Sequence, residues 1–119
     1  MVIRIWSRNI KIFLDDILCP EQVYKSKGWV TCRNINDVMR FLRMGGITYL
    51  SLDGDMGLDN EGNDIPGGVE LLNWMKASNT WPDCGIFIHS SSPIKKKQMQ
   101  TIVDLHFMPI ALGKNVVAL

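Results

Sequence analysis

Residues 47 to 57 read Ile-Thr-Tyr-Leu-Ser-Leu-Asp-Gly-Asp-Met-Gly. The run is rich in β-formers, holds no lysine or arginine, and stops on two carboxylates, Asp53 and Asp55, set among glycines that let a backbone turn tightly. A buried strand that delivers acids to its carboxyl end has this form. Two other runs repeat it: Ile10 to Leu14 ends in Asp15-Asp16, and Gly85 to Ile88 ends in His89-Ser90-Ser91-Ser92. The carboxyl ends of parallel strands share one edge of a sheet, so these polar endings are expected to converge on one crevice. That crevice is the expected functional site.

Helix and strand signals alternate through the rest of the chain. Trp29 to Arg33 reads as a further strand. Asn34 then caps a helix whose apolar residues Ile35, Val38, Met39, Phe41 and Leu42 fall at helical spacing, and Gly45-Gly46 ends it. Gly54 to Gly68 is a polar loop of a length that tends to be functional, and Val69 to Lys76 suggests a second helix. Pro93 opens a third, with Lys95-Lys96-Lys97 in its first turns and Met99, Ile102 and Val103 on its buried face. Pro20 and Glu21 open a short helix or turn, Val116 to Leu119 reads as a last strand, and residues 1–9 form an arm or an extra edge strand. The alternation predicts the α/β class: one flavodoxin-like, three-layer domain over residues 1–119, with a parallel sheet of about five strands and helices on both faces.

Composition narrows the function classes. Hydrophobic residues make up 46% of 119, enough for one core that buries roughly two-thirds of the unfolded surface. A net charge of +1 excludes a global basic field, so any phosphate must be bound locally and no DNA interaction is evident. Cys19, Cys32 and Cys84 lie far apart, which argues against a disulfide framework or a zinc site and for a reducing compartment. No apolar stretch approaches the ~20 residues that span a bilayer, and Met1 to Trp6 is too short for a signal core. A cytoplasmic protein without a membrane partner is expected.

The acids carry the chemistry. Two like charges ~4 Å apart repel by about 1 kcal/mol in water and about 4 at an effective dielectric near 20. A cluster of Asp15, Asp16, Asp53 and Asp55 would therefore take up a cation or keep a proton. All-oxygen ligands suit magnesium, manganese or calcium rather than zinc. Taken singly, each aspartate reads as a turn or cap residue; together at two strand ends they favour the cation. His89 suits acid–base work near neutrality. Ser90 could hydrogen-bond a phosphoryl oxygen with Ser91 beside it, while Ser91 and Ser92 also read as caps of the next helix. Lys95, Lys96 and Lys97 stand at a helix start, where backbone amides favour anions. No G-x-S-x-G elbow supports a nucleophilic serine.

The ordered set Leu14-Asp15-Asp16, Ser51-Leu52-Asp53-Gly54-Asp55-Met56-Gly57 and His89-Ser90-Ser91-Ser92-Pro93 resembles the cyclic-phosphate processing receiver-like family of bacteria and phages. That family's pattern runs L-D-D, S-L-D-x-D-L-G, H-S-x-N-P, and the resemblance spans Lys11 to Ile102. It implies a receiver fold and a role in processing cyclic phosphates in nucleotide or RNA metabolism and in conflict systems. Against ordinary response-regulator receivers, Asp15 and Asp16 match the acidic pair, Asp53 the phosphorylated aspartate and Ser90 the hydroxyl after strand four. His89 and Asp55 are additions typical of the cyclic-phosphate group. Ser92 stands where asparagine is usual, and Lys114 lies near the place of the last receiver lysine but not at the end of an apolar strand.

The expected activity is a metal-dependent phosphoesterase acting on a cyclic nucleotide or on RNA ending in a 2′,3′-cyclic phosphate, in phage–host conflict or RNA repair. Asp53, His89 and Asp16 are the expected catalytic residues, Ser90, Ser91, Lys95 and Lys96 the phosphate contacts, and Asp15, Asp16, Asp53 and Asp55 the ligands of Mg2+, Mn2+ or Ca2+. Two other readings stand beside it: a signalling receiver phosphorylated on Asp53, and a non-catalytic module that binds a cyclic nucleotide or a protein. Trp6 and Trp81 either mark a homodimer contact or fill core.

Overall fold

The computed structural model describes residues 9–24 and 28–107. The strands are β1 (Ile10–Leu14), β2 (Trp29–Cys32), β3 (Ile47–Leu52) and β4 (Gly85–Ile88). Between and after them come α1 (Pro20–Tyr24), α2 (Ile35–Met44), α3 (Gly68–Ser78) and α4 (Pro93–His106). All strand pairs are parallel, in the order β2-β1-β3-β4. This is the flavodoxin-like order, with four strands among the described residues rather than five. The strand expected over Val116 to Leu119 lies outside the described residues, as do the amino-terminal arm with Trp6, and Lys114.

Local chemistry explains where the helices begin and end. The Asn34 side chain accepts a hydrogen bond from the Asp37 amide at 2.9 Å, and Gly45 closes α2 at φ +83°, a conformation costly for a residue with a Cβ. Ser92 caps α4 by accepting from the Lys95 amide at 3.3 Å, and Pro93 occupies the first turn, where a missing N–H costs nothing. Glu70 reaches back to accept from the Gly67 amide at 2.8 Å, which starts α3 one residue before the apolar pattern does.

Strand alternation divides the sheet into two unlike faces. On one, Ile12, Leu14, Leu50 and Leu52 meet Val38 and Leu42 of α2, Leu71, Leu72 and Met75 of α3, and Met99 of α4 in one core. Fully burying a leucine side chain contributes about 1.5–3 kcal/mol, so this face supplies much of the driving force. The opposite face is aromatic. Phe13, Trp29, Tyr49 and Phe87 stand on it, and Tyr24 of α1 lies against Phe13, Trp29 and Phe87 with ring centroids 6.0, 5.4 and 6.2 Å away. Helices thus reach both faces, but unequally. Among the described residues no helix is long and apolar enough to cross a membrane.

Candidate functional site

Register brings the polar strand ends together. Leu14 pairs with Leu52, and Leu52 pairs with Ile88. The next amides continue the ladder: Asp53 donates to the Leu14 carbonyl and His89 to the Leu52 carbonyl, both at 3.0 Å. Asp15, Asp53 and His89 are therefore neighbours at one edge of the sheet, although 74 residues separate the first from the last.

Asp15 is anchored on every side. One carboxylate oxygen, Oδ1, accepts from the amides of Ile17 and Leu18, each at 2.8 Å, and so shapes the turn after β1. The other, Oδ2, faces His89 Nε2 at 3.1 Å. Arg33, just past β2, donates to the carbonyls of Asp15 and Leu18 at 3.1 and 2.8 Å and ties the same turn down from outside. Asp16 is half-buried, and a Cβ on Gly57 would come within 3.2 Å of its Oδ2. Gly57 has φ +86°, so the position needs glycine for its backbone as well as for the space.

Asp53 is buried, with Oδ1 accepting from the Asp55 amide at 3.1 Å. Its pKa is pushed up to about 6: burial is the main cause, and the charges of Asp15, Asp16 and Asp55 add to it against the stabilising Asp55 amide. Asp15, Asp16 and Asp53 each present an oxygen such that all three lie within 4.8 Å of one another. Oxygens on one magnesium ion at 2.0–2.1 Å are at most about 4.2 Å apart, and on calcium at 2.3–2.6 Å at most about 5.2 Å. Only a trans pair reaches those limits, so three oxygens this close suit a hard divalent cation by their chemistry and would draw together around it.

Asp55, expected as a fourth ligand, is not in that group. Its side chain is exposed and its Oδ1 accepts from the Gly57 amide at 3.1 Å, so it serves the turn that places Gly57 against Asp16.

His89 is held inside rather than presented to the crevice. Its side chain is only 7% exposed, and its ring stacks on Phe13. Nε2 faces Asp15, and Nδ1 lies 2.6 Å from the Ser51 hydroxyl, which in turn lies 2.5 Å from the Tyr24 hydroxyl. Burial lowers its pKa, opposed by Asp15. Both ring nitrogens are engaged, so a direct proton transfer to a ligand would require one of them to be released first.

The phosphate-contact candidates divide. Gly54, next to Asp53, packs so closely against α4 that a Cβ there would stand 2.9 Å from Lys95 Cβ and 3.1 Å from Ser90 Oγ. Ser90 and Lys95 are therefore beside the strand end that carries Asp53. Lys95 Nζ lies 3.8 Å from Asp64 Oδ2, and Ser90 Oγ accepts from the Ser92 amide at 3.2 Å. Ser91, Lys96 and Lys97 are exposed, and no described contact ties them to the carboxylates.

Tyr24, Ser51, Phe13 and Arg33 escaped the sequence-based site. For Ser51 a signal existed: a hydroxyl between Leu50 and Leu52 in a strand buried on both faces must find a partner.

Neither a search of curated proteins nor one of solved structures gave a significant match. A family model does match, and it covers the four described strands, the turns that carry the carboxylates and Ser90, and the start of α4 with Lys95. With residues 10–104 aligned to the cyclic-phosphate processing receiver domain, the chain belongs to that family.

Proposed function

We propose that this domain is a divalent-cation-dependent phosphoesterase acting on cyclic phosphates, either a cyclic nucleotide or RNA ending in a 2′,3′-cyclic phosphate. The observation that carries the reading is the convergence of Asp15, Asp16 and Asp53 within 4.8 Å on all-oxygen terms, at a strand edge flanked by Ser90 and Lys95. Membership of the cyclic-phosphate processing family supports the substrate class.

In this reading the three carboxylates hold Mg2+, with Mn2+ or Ca2+ as alternatives. A bound cation supplies charge neutralisation of the phosphodiester and a more acidic water. The Ser90 hydroxyl and the Lys95 ammonium hold non-bridging oxygens, for which Lys95 exchanges its contact with Asp64 for the phosphate. Asp53 either accepts the proton of a water whose oxygen bonds phosphorus as one ring P–O bond breaks, or attacks phosphorus itself with loss of the same ring oxygen, forming an acyl phosphate that water then hydrolyses; in both routes the departing ring oxygen takes its proton from solvent. His89 acts on Asp15 rather than on the leaving oxygen, because both its nitrogens are occupied.

Purified protein is offered 2′,3′-cyclic nucleotides and cyclic oligonucleotides with and without Mg2+. Cation-dependent ring opening of at least one, lost in Asp53→Asn, is expected. Absence of turnover across the panel sinks the esterase reading.

The same Asp15, Asp16 and Asp53 group also favours a second reading, a receiver that accepts a phosphoryl group on Asp53 and keeps it. A lasting 80 Da adduct (about one HPO3) after incubation with a small phosphodonor, removed by Asp53→Asn, would select it.

A further inference from the structure

We propose that Tyr24 and Ser51 are positioning residues: through a directed hydrogen-bond chain they hold His89 in the Nε2–H tautomer, so that it donates to Asp15 and fixes that carboxylate. The cation consequence drawn below rests on the function proposed above; the chain itself does not.

Proton bookkeeping gives the direction. Asp15 is an acceptor throughout: Oδ1 takes the amides of Ile17 and Leu18, and Oδ2 faces His89 Nε2 at 3.1 Å. Nε2 must then carry a hydrogen. In a neutral imidazole Nδ1 is left as a bare acceptor, and the atom 2.6 Å from it is the Ser51 hydroxyl. Ser51 has one proton to give and spends it there. Its oxygen keeps lone pairs, and the Tyr24 hydroxyl at 2.5 Å donates to one of them. Every step points the same way, from α1 across β3 and β4 to the turn after β1.

Three features make the chain a device rather than an incidental contact. Ser51 is fully buried, so water cannot replace its hydroxyl. The imidazole is held in its plane by stacking on the Phe13 ring, with centroids 4.3 Å apart and planes within 5° of parallel. Buried polar atoms without a partner are absent among the described side chains, so the chain satisfies each member. Together these fix which nitrogen bears the proton, and outer-shell partners of this kind commonly set metal affinity. Tyr24 never touches the carboxylates, yet its hydroxyl is the far end of the chain.

The test uses the full chain, without added metal first. Imidazole nitrogen resonances of wild type should report an Nε2–H tautomer with Nδ1 as a hydrogen-bonded acceptor. Tyr24→Phe keeps the ring and removes the hydroxyl; it should shift Nδ1 while leaving the melting transition nearly unchanged. Ser51→Ala should shift Nδ1 further. An Nδ1–H tautomer in wild type, or nitrogen resonances that ignore Tyr24→Phe, overturns the proposal. Mg2+ titration comes second, with Tyr24→Phe expected to weaken binding by roughly tenfold. Wild type that binds no divalent cation overturns the cation reading of the site and leaves the tautomer result to decide the chain on its own. If wild type binds and Tyr24→Phe binds equally well, the positioning of Asp15 is overturned.

Discussion

The imidazole of His89 lies flat on the phenyl ring of Phe13, with centroids 4.3 Å apart and planes within 5° of parallel. Phe13 is itself fully buried and sits edge-on to Tyr24 and Trp29. It is therefore both a core residue and the floor on which the histidine rests. Phe13→Leu should cost about 1–3 kcal/mol in denaturant unfolding. It should also let water reach His89, whose pKa should rise toward the ordinary 6.5 because burial is what lowers it. Proton NMR titration of the His89 ring reads the second effect separately from the first.

Asp53 makes the metal-free fold sensitive to pH in a direction that can be worked out. Its folded pKa is near 6 and its ordinary value 3.8, so between those pH values the folded chain binds the extra proton. Stability attributable to Asp53 therefore falls as pH rises from about 4 to above 6, by on the order of 3 kcal/mol. His89 opposes it, since a histidine with a lowered pKa loses stability as pH falls below about 6.5. Comparison with Asp53→Asn separates the two. At pH 8 without divalent ions the variant should be the more stable protein, and at pH 4 the advantage should be gone. Adding Mg2+ at pH 8 should raise the melting temperature of wild type and leave Asp53→Asn unmoved.

Much of this was legible along the chain, for physical reasons that differ between elements. β1 and β4 are short, mainly apolar runs with polar stops, β1 carrying one lysine, Lys11, and they occupy Ile10–Leu14 and Gly85–Ile88 as the pattern predicts. α2 announces itself by Asn34 and Gly45, and α4 by Ser92-Pro93, because caps are chemistry between residues three or four apart. Relations across elements were less accessible. That Ser51 faces His89 depends on the register of β3 against β4, and that Tyr24 completes the chain depends on where α1 settles over the aromatic face. Asp55 shows the converse case. Its spacing from Asp53 resembles a second ligand, but a tight turn to Gly57 is a competing use for the same oxygen.

The start of α3 leaves no room beside Asp53. A Cβ on Gly68 would stand 2.9 Å from the Asp53 carbonyl oxygen and 2.3 Å from Met99 Cε, and the Gly68 amide donates to that same carbonyl at 3.0 Å. Met99 can swing away, whereas the backbone oxygen can move only by shifting the strand end. Gly68→Ala should therefore destabilise the fold by about 2 kcal/mol or more and weaken cation binding together with it. Calorimetry alongside the Mg2+ titration measures both. Gly68 is outside the left-handed region, so its cost is steric; Gly62→Ala, where a Cβ meets nothing within 4 Å but φ is +84°, gives the contrasting cost of backbone strain without a clash.

Removing the carboxylates one at a time separates a three-acid site from a four-acid one. Asp15, Asp16 and Asp53 share a 4.8 Å neighbourhood that Asp55 does not enter. Asp16→Asn should weaken Mg2+ by tenfold or more, roughly the effect of losing one charged ligand or its orienting partner. Asp15→Asn should do the same and in addition disturb the turn, because an amide nitrogen placed at either side-chain position would face a donor: the Ile17 and Leu18 amides on one side, His89 on the other. Asp55→Asn keeps an oxygen for the Gly57 amide and should change the affinity less than about threefold, through the loss of one exposed charge. Equal losses for Asp16→Asn and Asp55→Asn in isothermal titration would mean that the Asp55 side chain leaves its turn to join the cation. In that case the loop from Gly54 to Gly57 rearranges on binding, and the hydrogen bond from the Gly57 amide to Asp55 Oδ1 is the one it must break.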